Sequence, residues 1–135
     1  MSEISIWLAV ATGGAAGAVL RGLIFRSIAR WSPAEAGGRL AEFGAARSTL
    51  IVNVIGSFVL GSVVGNLPNP IAGANDPALA FWVTGLCGAI TTFSALCADA
   101  IGLARAGHRA RVARVLLANA VLGVAALALG LAVAS

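Results

Sequence analysis

The sequence predicts an all-α integral membrane protein with four transmembrane helices, and three observations carry that prediction. Of the 135 residues, 59% are apolar and only 10% are charged, with a mean hydropathy of +0.96. An average soluble domain carries roughly 25% charged residues, so this chain cannot cover a water-facing surface. Uncharged stretches recur four times, each near the ~20 residues that a helix needs to cross a ~30 Å hydrocarbon core. The segments between them leave no room for a soluble domain, so 1–135 reads as one four-helix membrane domain.

The first span covers about 4–25. It is preceded by Glu3 and no basic residue, a pattern that argues against a cleaved signal peptide. Gly13 and Gly17 make a GxxxG, and Arg21 lies inside the span. The connection from Arg26 to Arg47 contains WSPAEAGGRLAEFGAAR, long enough for a short interfacial helix. The second span, about 48–67, carries Asn53, Ser57, Gly61 and Gly65 at i, i+4 spacing, hence on one stripe. PNPIAGAND then supplies turn chemistry: prolines that end a helix, and Gly, Asn and Asp that tolerate the bend.

The third span, about 79–102, contains GLCGAITTFSALCAD. Gly88, two β-branched threonines and Ser94 weaken the helix near its middle, and a break between Gly88 and Thr92 is expected. The connection from Gly102 to Arg114 leads to the fourth span, about 113–134, where Asn119 is the only strong polar group beyond Arg114. Small residues along all four spans predict close helix packing rather than a wide aqueous pore. A chain this thin has little interior of its own, which favours an oligomer.

All nine basic residues are arginines, set against five acids. In a soluble chain that excess would suggest nucleic acid; here it is a topology signal, and no nucleic-acid partner is expected. Arg26, Arg30, Arg39 and Arg47 flank the first connection, and Arg105, Arg109, Arg111 and Arg114 the third. The other side has Glu3 and Asp76 and no arginine. By the positive-inside rule, connections one and three are cytoplasmic and both termini lie outside.

Polar groups inside a membrane are costly and are the first functional candidates. Asn53 offers two N–H donors and must find a partner, either a ligand or a neighbouring helix. A break at Gly88–Thr92 frees backbone carbonyls, which protein, water or a hard cation such as Na⁺ can satisfy. Phe93 presents a ring whose edge carries partial positive charge, although such a ring usually serves packing. Arg21 and Asp99 both lie toward the arginine-rich ends of their helices, so they can pair; snorkelling is the alternative for Arg21. Cys87 and Cys97 match no metal or redox spacing and read as buried free thiols. His108 sits in an arginine-rich connection with no nucleophile or base beside it, so the chain is not read as an enzyme.

Three segments, GGAAGAVLR (Gly13 to Arg21), STLIVNVIGSFVLG (Ser48 to Gly61) and GLCGAITTFS (Gly85 to Ser94), resemble the CrcB or Fluc family of fluoride channels in sequence and order. The resemblance covers nearly the whole chain. It implies a passive, fluoride-selective channel in a prokaryotic cell membrane, built from two antiparallel subunits around a structural Na⁺ that is not transported. It also implies that backbone carbonyls at Gly88 and Thr91 hold the Na⁺, that Asn53 lines the pore, and that Phe93 begins an aromatic track. Ser57, Thr92 and Ser94 are the accompanying hydroxyl candidates. Neutral donors suit a small, strongly hydrated anion, because fixed Lys or Arg in the narrow part would hold it too tightly. Fluoride enters cells as its neutral acid and dissociates inside, so a passive route is enough to export it and lower its toxicity.

Two features depart from the family pattern. The usual TTFSTF is here TTFSAL, so Leu96 stands where a second phenylalanine is expected, and Asp99 replaces a glutamate. The arginine distribution is also one-sided, whereas an antiparallel homodimer needs one chain to insert both ways. Together these point to a heterodimer with an oppositely oriented paralogue that supplies the intact aromatic pair, with a homodimer as the alternative assembly; a further alternative is that this chain is the non-conducting partner subunit of a heterodimeric fluoride channel. A small multidrug or quaternary-cation exporter is the competing class, but it needs a membrane-embedded carboxylate in the first helix, where only Glu3 stands at the edge.

Overall fold

Long apolar runs without an internal proline favour helix, since in lipid every backbone N–H and C=O must be satisfied within the segment. The computed structural model describes residues 3–31, 39–67 and 76–134, with backbone alone at 29–31 and 39–45. It contains α1 (Glu3–Trp31), α2 (Arg39–Gly65), α3 (Pro77–Leu79), a π-helical segment (Ala80–Cys87), α4 (Gly88–Ile90), α5 (Phe93–Arg105) and α6 (Arg109–Ala134). Four helical spans are long and apolar enough to cross a membrane: Glu3–Ile28, Ala46–Gly65, Pro77–Arg105 and Arg109–Ala134. No strand occurs among the described residues.

The connections are tighter than the sequence suggests. Helix α1 continues through Arg26 to Trp31, and the Arg39–Arg47 stretch is the first part of α2 rather than a separate interfacial helix. Residues 32–38, within the first expected connection, and 68–75, nearly all of PNPIAGAND, lie outside the described residues. Asp76 starts the third span by accepting from the Ala78 N–H at 2.9 Å, with Pro77 at the first helical position, where a missing N–H costs nothing. The third connection contracts to Ala106–His108. Gly107 adopts φ +80° there, a left-handed conformation open to glycine, and the His108 N–H closes the turn on the Leu103 carbonyl at 2.9 Å.

The spans pack as two parallel pairs. Along α2 and α6, Asn53 meets Asn119 and Ser57 faces Gly123, while a methyl on Gly61 would strike the Leu127 carbonyl. Each contact advances by four residues on both helices, so the small-residue stripe read from α2 is the seam against α6. Helix α1 packs in the same sense on the third span: Gly13 lies against the Phe81 carbonyl and Gly85, and Gly17 against Leu86 and Ala89. Both GxxxG motifs are therefore contacts within one chain, where absent side chains let backbones approach. This arrangement brings the C-terminal end of α1, the start of α2, the end of α5 and the start of α6 to one end of the bundle, and the eight flanking arginines with them.

Candidate functional site

The third span is interrupted at Thr91 and Thr92, whose backbones are extended, with ψ of 148° and 108°. The interruption falls at the C-terminal edge of the expected stretch. Gly88 itself is helical, at φ −63° and ψ −31°. The β-branched threonines, which favour extended backbone, carry the break rather than the glycine.

Side chains replace the helical bonds lost there. The Thr92 N–H donates to Asn53 Oδ1 at 2.8 Å, and the Ala95 N–H donates to Thr92 Oγ1 at 3.2 Å, so Thr92 is the N-cap of α5. In an unbroken helix those two N–H groups would serve the carbonyls four residues earlier, which belong to Gly88 and Thr91. The break thus diverts the usual donors from the same two carbonyls that the family resemblance assigns to Na⁺.

Asn53 is half-buried and bridges three helices. Its Nδ2 donates to Asn119 Oδ1 at 2.9 Å and faces the Thr92 carbonyl at 3.5 Å. Thr92 Oγ1 lies 3.3 Å from Ser94 Oγ. Asn53, Thr92 and Ser94 therefore form one polar cluster at the break, while Ser57 lies one turn along α2 beside Gly123. The Thr91 hydroxyl donates to the Cys87 carbonyl of its own span at 2.8 Å, the ordinary behaviour of a hydroxyl in a membrane helix.

Exposure divides the cluster. Thr92 is buried, Gly88 and Ser94 are exposed, and Phe93 is 78% exposed, with its ring projecting from the surface of the single chain. Leu96, one turn along α5, is buried in its own subunit.

Arg21 and Asp99 do not form the expected ion pair among the described residues. Asp99 accepts from the Thr49 hydroxyl at 2.7 Å. Arg21 lines a cleft of about 380 Å³ with Ala18, Gly22, Phe25, Thr92, Ser94 and Ala95. Similar depth does not pair the two residues: Arg21 lies beside the start of α5, whereas Asp99, further along that helix, is engaged by Thr49 of α2. Cys87 is buried and Cys97 half-buried, and both are free thiols.

Two participants carried no role in the sequence reading. Thr49 lies four residues before Asn53 and so extends its stripe by one turn, a spacing that could have marked it. Asn119 was visible as the lone polar group of the last span, but its partner is 66 residues away. No buried side-chain polar atom among the described residues lacks a partner.

A family model described as CrcB-like protein, Camphor Resistance (CrcB), matches residues 8–131. A fluoride-specific ion channel FluC of Agrobacterium fabrum is 38% identical over 123 residues, covering 91% of this chain and 90% of the relative. Proteins of the same name from Roseiflexus sp. and Sulfurovum sp. are 38% and 37% identical; the alignments cover 94% of both chains in the first case, and 92% of this chain and 89% of the relative in the second.

Proposed function

The chain belongs to the CrcB family, and from that premise we propose that it is a subunit of a passive, fluoride-selective channel that exports cytoplasmic fluoride. The observation that carries the reading is the interruption at Thr91–Thr92, where Asn53, Thr92 and Ser94 gather neutral donors beside the projecting ring of Phe93. A dehydrated fluoride needs such donors, and because the hydrogen bonds within this cluster come from neutral groups, the ion can leave again. The role is transport rather than catalysis.

Exposure of Phe93, Ser94 and Gly88 supports a second subunit covering this face, since an exposed polar break in lipid would leave backbone groups without partners. Gly88 and Thr91 are suited to Na⁺ at the dimer centre, because their carbonyls have lost the helical donors that Asn53 and Thr92 diverted. Bound there, Na⁺ would supply the positive charge that these oxygens otherwise lack and would not be transported. The site would lie in the cell membrane of a prokaryote, in contact with lipid, with both chain termini outside.

The one-sided arginines favour a specific form of this assembly, a heterodimer with an oppositely oriented paralogue. The burial of Leu96 supports it, because the position that would hold a second ring is closed into this subunit. Fluoride efflux from liposomes, with this chain alone and with a candidate partner, separates the two assemblies. Efflux from the chain alone removes the heterodimer. Asn53→Asp and Phe93→Ile are each expected to lower efflux by about tenfold or more, and unchanged efflux in both would remove the pore assignment.

A further inference from the structure

Beyond Arg114, Asn119 is the only strong polar side chain among the described residues of α6, and only 8% of it is exposed. Its Nδ2 donates to the Val115 carbonyl at 3.0 Å, and its Oδ1 accepts from Asn53 Nδ2 at 2.9 Å. At the other end of the chain of bonds, Asn53 Oδ1 accepts from the Thr92 N–H at 2.8 Å.

The polarity of this relay is set at both ends by backbone groups. A carbonyl can only accept, so Val115 fixes the amide nitrogen of Asn119 toward itself and leaves the oxygen facing Asn53. A backbone N–H can only donate, so Thr92 fixes the oxygen of Asn53 toward the break. Neither amide can turn over without setting two like groups against each other. Asn53 then has one N–H engaged by Asn119 and a second directed at the Thr92 carbonyl, where 3.5 Å is the outer limit of a hydrogen bond.

Resting on the channel reading above, we propose that Asn119 is a positioning residue of the anion pathway. It holds the Asn53 amide in one orientation, with its oxygen stabilising the interruption at Thr92 and its weakly engaged N–H left for the anion. Helix α6 thereby takes part in shaping the break although it lacks a row of hydroxyls. Without Asn119, the Asn53 amide can rotate, and its second N–H is no longer held beside the interruption.

The test uses the full-length protein, with its partner subunit if conduction requires one. Nuclear magnetic resonance signals of the Thr92 backbone amide and the Asn53 side-chain amide read the relay, and fluoride efflux from liposomes reads its consequence. Asn119→Leu, which keeps the γ-branched shape and removes both polar atoms, should displace both sets of signals and lower efflux by about tenfold or more. Asn119→Asp keeps an acceptor at the same reach and should leave the Thr92 signal near its wild-type position. Lower efflux in Asn119→Leu with both sets of signals unchanged would mean that Asn119 acts through packing alone, and would overturn the proposal, as would unchanged efflux. Should Asn119→Leu fail to fold, a Thr92 signal displaced in Asn119→Asp overturns it instead. If the wild type moves no fluoride with any partner, the channel reading fails, while the Thr92 and Asn53 signals still decide whether the relay exists.

Discussion

Asp99 illustrates how a charged group is accommodated at depth by one well-placed partner. Its carboxylate accepts from the Thr49 hydroxyl, itself 1% exposed, so the contact joins α5 to α2 within the bundle. Asp99→Asn keeps an acceptor for that hydroxyl, whereas Asp99→Leu leaves it without one, at a cost of about 1–3 kcal/mol for a buried polar group. Thermal unfolding in detergent should therefore separate the two variants, with Asp99→Leu the less stable. Thr49→Val, which removes the donor, should resemble Asp99→Leu more than Asp99→Asn.

At the scale of elements, the interrupted span depends on Thr92 twice, through its backbone N–H and through its cap on α5. Thr92→Ala loses the cap and should lower stability by about 1 kcal/mol, while Thr92→Ser retains most of it; melting curves of the two measure the difference. The α2–α6 seam gives a larger effect. A Cβ at Gly61 meets the Leu127 backbone, and one at Gly130 meets Phe58 and Ser62, so neither neighbour can yield by turning a side chain. Gly61→Val should cost about 1–3 kcal/mol or more. Gly102, with open space at its Cβ position, should respond in the opposite direction, Gly102→Ala gaining about 0.5–1 kcal/mol from helix propensity. Detergent melts of the two glycine variants make a direct comparison of sign.

At the scale of the whole molecule, parallel pairing of α1 with the third span and of α2 with α6 gathers the arginines at one end. That end is expected to face the cytoplasm. Single cysteines introduced by Ser2→Cys and by His108→Cys, in a chain whose Cys87 and Cys97 are replaced, should label oppositely with a membrane-impermeant thiol reagent on intact cells: position 2 reactive, position 108 protected. Equal labelling of both would indicate dual insertion and would favour the homodimer.

The class, the number of spans and the neighbourhood of the interruption are legible in the linear chain, because hydropathy, charge and β-branching are local properties that need no partner. Asn53 is legible there too, since a mid-span amide must be satisfied wherever it points. Which partners meet is settled by packing in three dimensions. Thr49 and Asp99 are 50 residues apart and Asn53 and Asn119 are 66 apart, and no local pattern joins them. Arg21 and Asp99 share a depth yet face different neighbours. Linear sequence gives height along a membrane helix, whereas rotation about the helix axis is set by packing, here by glycines that admit one backbone against another.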